Sequence, residues 1–330
     1  MTDYPFVSII IASFNGKHYL GECLSSIKKL DYPEEKLEVI LVDDGSKDNT
    51  GEFIEENFNH IKIIHNPRNK GVAEARNIGI RNAQGNLIAF LDNDVVVDKN
   101  WLIKLVETIE EDPKIGICAS KLLFRDRPGI INSTGGVMNV YADAWDRGVF
   151  ETDIRQYDNE KRIFFACSAA MLIQKDVLER IGCFDPQLYI YEDVDLGWRV
   201  NLLGYQIIYV PAAIAYHKLG GTIRRDNLKT RYLLERNRIR IMLKNYEGKT
   251  LLKNTFGLLK FKLVKFKRHA FFSRQWKLSL LIFALAAWGW NVLHILDTLR
   301  RRTYIQRIKI IPDKEIFELM GIYKYKSFNL

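Results

Sequence analysis

Three acidic runs in this 330-residue chain have the residue types and spacing to hold a divalent cation or to move a proton. They are Val42-Asp43-Asp44-Gly45-Ser46, Leu91-Asp92-Asn93-Asp94 and Tyr191-Glu192-Asp193-Val194-Asp195. Acidic residues are poor strand formers, so clusters at the ends of apolar runs serve either a loop or a site. Turn chemistry accounts for each of the first two runs taken singly, since Asp-Gly and Asn-Asp pairs are good turn formers. Brought to one edge of a sheet, the same carboxylates offer the oxygen ligands that a divalent cation needs. Asp193 either caps the helix that follows it or serves as a general base whose pKa neighbouring carboxylates raise. Glu192 and Asp195 either tune that base or cap the same helix. His217, taken alone, reads as an ordinary surface histidine.

The elements that would position these residues can be read from apolar patterning. Strands are expected at Val7–Ala12, Val39–Val42, Ile61–Ile64, Leu87–Leu91 and Ile115–Ala119, with amphipathic helices at Lys17–Lys29, Asp48–Glu56, Val72–Asn82 and Lys99–Glu111. Strands alternating with helices of this length imply βαβ units and a mostly parallel sheet, whose ligands bind at the carboxyl ends of the strands. Residues 121–165 have no clear period, being broken by Pro128, Gly135-Gly136 and Gly148. An apolar run Ile163–Ile173, a short helix Asp176–Arg180, an apolar stretch Leu188–Tyr191, a helix Val194–Leu203 and a strand Gln206–Val210 stopped by Pro211 follow.

The character changes at Arg224. Residues 1–223 carry a net charge of −9, whereas residues 224–330 carry +18. An acidic working part of residues 1–223, with halves of about 1–120 and 121–223, therefore precedes a basic helical part of residues 224–330. Its segments are a basic helix 224–246, an amphipathic basic stretch 251–267, and an uncharged run 278–296 between Lys277 and Arg300. Basic docking means phosphates, of nucleic acid or of a membrane face, and the leucine- and phenylalanine-rich character favours lipid. As a helix the uncharged run would extend about 28 Å, near the hydrocarbon thickness of a bilayer, so it is expected to span, re-enter or lie on a membrane. A buried helix is the alternative.

Cys23, Cys118, Cys167 and Cys183 are scattered without CxxC pairing, which points away from a zinc ribbon or a disulfide framework and toward a reducing compartment. The first residues lack the basic region of a signal peptide. No GxxxxGK[ST], no GxGxxG after the first strand, no HExxH and no GxSxG occurs, so P-loop hydrolysis, dinucleotide redox chemistry and serine hydrolysis lose their sequence support.

The ordered set Val7-Ser8-Ile9-Ile10-Ile11-Ala12-Ser13-Phe14-Asn15, Val42-Asp43-Asp44-Gly45-Ser46, Asn69-Lys70-Gly71-Val72-Ala73-Glu74-Ala75-Arg76-Asn77 and Leu91-Asp92-Asn93-Asp94 resembles family 2 glycosyltransferases of the GT-A fold. Gly182-Cys183-Phe184-Asp185, the run from Tyr191 to Arg199, Gly204-Tyr205, Val210-Pro211 and His217 continue the resemblance to about residue 245, in the rhamnosyltransferase-like, non-processive branch. The resemblance implies a nucleotide-sugar site of Ala12, Ser13, Asn15, Asp43, Asp44, Arg76, Asp92 and Asn93. In it Asp43 contacts the base and Arg76 faces the nucleotide or its diphosphate. It implies Mg²⁺ or Mn²⁺ held by Asp92, Asp94 and His217, with Asp193 as catalytic base beside Glu192. Ala12 stands where many members have proline. The QxxRW signature of processive synthases is absent, the corresponding region reading Leu233-Leu234-Glu235-Arg236-Asn237-Arg238.

The expectation is therefore an α/β, Rossmann-like GT-A domain followed by a membrane-associating helical region. It would act as an inverting, metal-dependent transferase moving one sugar from a UDP- or dTDP-sugar to a lipid-linked or other glycan acceptor. Its place would be the cytoplasmic face of the membrane. The rivals are a sugar nucleotidyltransferase and a non-catalytic nucleotide-sugar-binding scaffold, and nucleic acid is not an expected partner.

Overall fold

The computed structural model describes residues 4–218, 228–254 and 274–321. The chain forms two compact units, one of residues 1–136 and 146–221, the other of residues 137–145 and 222–330. Residues 137–145, which sequence patterning leaves in the acidic part, thus fold with the basic one.

The first unit is a nine-stranded sheet with helices against it. Its leading half is parallel: β1 (Val7–Ser13) lies between β2 (Leu37–Asp43) and β4 (Leu87–Asp92), and β3 (Lys62–His65) adds to β2. These runs are rich in Val, Ile and Leu and buried on both faces, as parallel strands under crossover helices must be. The crossovers are α1 (Lys17–Ile27), α2 (Thr50–Asn57) and α3 (Val72–Asn82), close to the sequence expectation. α3 approaches β1 closely, because a Cβ at Gly79 would stand 2.4 Å from Ile10 Cγ2. Short β5 (Val95–Val97) and α4 (Trp101–Glu111) then lead to β6 (Ile115–Phe124). Trp101, fully buried, donates its indole N–H to Ser120 Oγ at 2.7 Å.

The second half of the sheet departs from the parallel expectation. β10 (Ala170–Gln174) inserts between β4 and β6, antiparallel to both. Only this end of the apolar run Ile163–Ile173 is a strand, and Phe164 and Phe165 are buried outside it. Apolar composition there reports burial, which a loop and a strand share. Residues 121–165 form the end of β6, then β7 (Arg127–Ser133) paired back onto it, and a separate ribbon of β8 (Gly136–Met138) and β9 (Ala144–Asp146).

Two boundaries matter for the site. β11 (Gln206–His217) continues through Pro211, where the sequence suggested a stop. Its pairing with β6 shifts register between Val210 and Ile214, and a bulge is where a strand accepts a residue with no N–H to give. α5 (Lys175–Ile181) precedes α6 (Glu192–Leu202), which starts two residues earlier than expected, with Tyr191 in the left-handed region at φ 73° as its N-cap. Asp193 therefore sits within the first helical turn and is not the cap.

The second unit contains α7 (Leu228–Asn245), α8 (Arg274–Leu293), α9 (Ile295–Ile308) and α10 (Asp313–Gly321). The expected basic helix is present as α7, but its cations are not spread on a solvated face. Arg240 is fully buried, bonded to Thr298 Oγ1 at 2.7 Å and paired with Asp297, and Arg238 pairs with Asp143 at 2.7 Å. Lys309 joins Glu247 at 2.8 Å and Asp313 at 2.6 Å. The uncharged run 278–296 is not one rod. α8 ends at Leu293 and α9 departs after His294, with a bend of 69° between the pair. No single helix among the described residues is long and apolar enough to cross a membrane. Most of the amphipathic stretch 251–267 lies outside the described residues.

The start of α6 is secured by Asp195, fully buried, whose Oδ2 accepts from Arg199 Nε at 3.0 Å and lies 2.9 Å from its Nη2. Arg199 also donates to the Ile181 carbonyl at 2.7 Å. Removing one partner of a buried ion pair leaves the other charge uncompensated, so Asp195→Ala is expected to lower stability by about 3–5 kcal/mol in urea unfolding. A loss within the ~0.5 kcal/mol typical of surface positions would show that the pair does not hold this helix.

Candidate active site

The carboxyl edge of the parallel strands gathers the residues that the sequence singled out. Parallel register sets Ser13 beside Asp43, and Ala12 beside both Val42 and Asp92. The β1 and β2 loops are tied to each other: the Asn15 N–H donates to Ser46 Oγ at 2.8 Å, and Asn15 Oδ1 accepts from the Lys47 N–H at 2.8 Å. Ser13 Oγ accepts from Asn93 Nδ2 at 2.9 Å, linking β1 to the loop after β4. Gly16 lies so close that a Cβ there would sit 2.2 Å from Asn93 Nδ2.

The paired acids Asp43 and Asp44 are spent differently. Asp44 accepts from Asn66 Nδ2 at 2.8 Å and from the backbone N–H groups of Lys70 and Gly71 at 3.0 and 2.9 Å. That carboxylate holds the loop that leads into α3. Asp43 accepts from the Ser46 N–H at 3.1 Å, and its other oxygen lies 3.3 Å from His65 Nδ1. His65 drew no notice in the sequence because a histidine ending a strand is unremarkable until the strands are paired.

Asp92, Asp94 and His217 converge, with one ligand atom from each lying within 4.8 Å of the others. Asp94 is 3% exposed, and its Oδ1 is 3.4 Å from His217 Nε2. The continuation of β11 past Pro211 makes this meeting, since it pairs His217 with Val95 of β5. Burial opposes a charge on His217, but the hydrogen bond to Asp94 and the charges of Asp94, Asp92 and Asp146 outweigh it and raise its pKa. The other ring nitrogen, Nδ1, lies 3.2 Å from Asn132 Oδ1 on β7. Were a cation held here, a proton kept on Nδ1 and donated to that amide oxygen would leave the Nε2 lone pair for the ion. Asn132 falls in the stretch whose sequence showed no period, so nothing marked it. Two carboxylates and one imidazole fit Mn²⁺ or Mg²⁺, which favour oxygen ligands and tolerate a nitrogen.

Arg76 is held among protein carboxylates. Its guanidinium, 3% exposed, donates to Asp92 Oδ1 at 2.7 Å, to Glu192 Oε1 at 3.0 Å and to the Ser168 carbonyl at 3.5 Å. It bridges the carboxylates of Asp92 and Glu192. Burial works against this charge, and Asp92 and Glu192 reverse the effect, so the Arg76 pKa is raised. Glu192 is thereby supplied with a counter-charge.

Among the described residues no cation forms an ion pair with Asp193, although the charge of Arg76 lowers its pKa somewhat. Its Oδ1 accepts from the Val194 N–H at 2.8 Å. Burial, then the charges of Glu192 and Asp146, push its pKa well above the usual carboxylate range. Asp146, at the end of β9, is a further acid that no pattern in the sequence singles out. Asp195, by contrast, is paired with Arg199.

A carboxyl group with a raised folded-state pKa holds its proton more tightly folded than unfolded. Stability from Asp193 is then fully present below the unfolded carboxyl pKa of about 3.9 and is lost as pH rises through the folded value. Asp193→Asn is therefore expected to melt higher than the wild-type chain at neutral pH, with the difference closing below about pH 4. Thermal melts across pH test this. A lower melting temperature for the variant at neutral pH would show that the ionised carboxylate is held by a partner.

The glycosyl transferase family 2 model matches residues 8–182. A poly-β-1,6-N-acetyl-D-glucosamine synthase of Staphylococcus epidermidis is 30% identical over 220 residues, 66% of this chain and 51% of that protein. The chain thus spans about half the length of such curated relatives. Among solved structures, GalNAc-T7 with UDP, GalNAc and Mn²⁺ superposes with a TM-score of 0.60 at 22% identity, covering 76% of this chain and 49% of that one. The mannosyltransferase PcManGT of Pyrobaculum calidifontis, with GDP-Man and Mn²⁺, gives 0.57 at 17% identity, covering 93% and 86%. These two likenesses establish the fold. From the family match over more than half its length, the chain belongs to glycosyl transferase family 2.

Proposed function

We propose that this chain is an inverting, metal-dependent glycosyltransferase that moves one sugar from a nucleoside-diphosphate sugar to an acceptor hydroxyl. The observation that carries this reading is the Arg76 bridge. It neutralises Glu192 and fixes it to Asp92, leaving Asp193 as the carboxylate free to take a proton. A divalent cation held by Asp92, Asp94 and His217 would place positive charge against the departing diphosphate.

The chain's own residues supply the rest. Asp43, at the carboxyl end of β2, offers a carboxylate oxygen to the nucleotide base, and Asp44 shapes the adjoining loop. Ala12, Ser13, Asn15 and Asn93 form the backbone and side-chain wall against which the nucleotide lies. Asp193 accepts the acceptor hydroxyl's proton as that oxygen attacks the anomeric carbon from the face opposite the diphosphate. Its raised pKa brings proton affinity closer to that of a working base. Arg76 acts on the donor only through Asp92, by orienting it.

Several readings are finer than the family. UDP- or dTDP-sugars are the proposed donors, with UDP favoured by GalNAc-T7 and by the N-acetylglucosamine polymer named for the staphylococcal relative. Single-sugar addition is proposed in spite of that relative's polymer product, because residues 233–238 lack the processive signature. Here they form part of α7, with Asn237 and Arg238 buried. A lipid-linked glycan at the cytoplasmic face of the membrane is the proposed acceptor, supported by the +18 charge and apolar run of residues 224–330.

A screen of nucleotide sugars with Mn²⁺ or Mg²⁺ should reveal release of a nucleoside diphosphate. Pyrophosphate in its place would identify a nucleotidyltransferase, and no turnover with any donor would favour a binding scaffold. Mass spectrometry of the acceptor should show one added sugar, whereas a ladder would mean processive synthesis.

Two variants separate the roles. Asp193→Asn is expected to lower turnover roughly 10²–10⁴-fold while donor affinity stays, as for loss of a general base. Should Glu192→Gln do so and Asp193→Asn not, the base is misassigned. Asp94→Ala is expected to abolish the Mn²⁺-dependent part of donor affinity in calorimetric titration without altering the melting profile. Donor affinity unchanged by the substitution would remove Asp94 from the metal site.

A further inference from the structure

The α8–α9 pair of the second unit buries polar groups and exposes large apolar ones. Beside Ala287 and Ile305, its inward faces carry polar side chains. Asn291, buried, donates to the Arg236 carbonyl at 3.0 Å, and Thr298, fully buried, accepts from Arg240. Arg236 stacks over Trp290, 4.3 Å from its ring centre. The opposite faces carry Leu285, Trp288, Val292, Leu293, Leu296 and Leu299, all exposed, Leu293 by 83% and Leu296 by 81%. On α8, Leu285, Trp288 and Val292 follow at intervals of three and four, and on α9 Leu296 and Leu299 are three apart, so each helix carries an exposed apolar stripe on its side of the 69° bend at His294. A helix pair folding in water for its own stability would turn those stripes inward.

The charge beside the stripes indicates what covers them. On α9, Arg300 and Arg307 are exposed at helical spacing from Leu296. Apolar residues continued by arginines on one helical face match the boundary between acyl chains and anionic headgroups. The 69° bend at His294 turns the apolar segment into a corner, and a corner with arginines on its second arm fits a helix pair laid in the interface.

We propose that the α8–α9 corner is a monotopic membrane anchor. It inserts Leu285, Val292, Leu293 and Leu296 into the upper acyl region of an anionic bilayer, with Arg300 and Arg307 at the phosphates, and it does not cross. The proposal rests on the membrane setting proposed above and specifies how that setting is reached. Because the inserted side chains already face outward, replacing them leaves the interior of the unit intact.

The test uses the full chain and phosphatidylcholine vesicles with or without phosphatidylglycerol. The wild-type chain should sediment with the anionic vesicles. The double variant Leu293→Glu, Leu296→Glu should lose at least about tenfold in partitioning, with melting temperature and donor affinity unchanged. Arg300→Glu with Arg307→Glu should weaken binding mainly at low salt. The Trp288-dependent fluorescence, isolated by comparison with Trp288→Phe, should be quenched most by lipids brominated near the headgroup.

Undiminished vesicle binding by the leucine double variant would overturn the proposal, and strongest quenching at the bilayer centre would show a span instead. A dimer in vesicle-free buffer that the double variant reduces to monomer would assign the stripes to a second copy of the chain. Nucleoside diphosphate release is followed in parallel. Vesicle binding without transfer of any sugar would refute the functional reading alone, and transfer without vesicle binding would refute the anchor alone.

Discussion

One buried guanidinium organises the site. Arg76 is 2% exposed and joins Asp92, at the end of a parallel strand, to Glu192, in the first turn of a helix more than a hundred residues later. A charge so placed is tolerated only when paired and hydrogen-bonded, so the position of each carboxylate is set by the other two groups. The same bridge distinguishes two adjacent acids. Burial raises the pKa of both; for Glu192 the Arg76 guanidinium opposes that rise, whereas for Asp193 the like charges of Glu192 and Asp146 add to it. Pairs of carboxyl groups in unequal surroundings are how a single site divides acid–base work.

Around that bridge, the mixed sheet brings together residues distant in sequence. Insertion of antiparallel β10 sets the Ala169 carbonyl to accept from the Asp92 N–H at 2.9 Å, which fixes the strand end from the far side. β11 then has to run past Pro211 for His217 to reach Asp94, and the bulge at that point lets it do so without a missing ladder bond in the regular pairing. Asn132 on β7 completes the set by fixing the ring from behind. The metal trio depends in this way on three strands that no simple βαβ succession would have placed there.

The second unit shows charge used as interior structure. Buried Arg238 and Arg240 pair with Asp143 and Asp297, and Lys309 pairs with buried Asp313, while leucines occupy the outer face of the α8–α9 corner. Net charge alone suggested a basic docking surface. Among the described residues part of that charge is consumed internally, and the exposed Arg300 and Arg307 lie on the same helix as the apolar Leu296 and Leu299. Composition counts a buried and an exposed arginine alike, which is why the two readings differ.

The sequence by itself determined the parallel half of the sheet, because runs of Val, Ile and Leu with amphipathic helices between them have one consistent packing. It also marked Asp43, Asp92, Asp94 and Asp193, since acids at strand ends and before a helix are rare enough to notice. It could not separate Asp44 from Asp43, or Asp195 from Asp193. Those distinctions rest on which backbone N–H groups and which guanidinium each carboxylate meets, and only the folded chain sets them. Arg76 was legible as a site residue but not as a bridge, and Asn132 and Asp146 were not legible at all, lying in a stretch without period. The long apolar run looked continuous because hydropathy averages over a single polar residue. The direction the chain takes after His294 was decided by helix packing, through Asn291, Thr298 and Arg240, and long-range contacts of that kind leave no local pattern in the sequence.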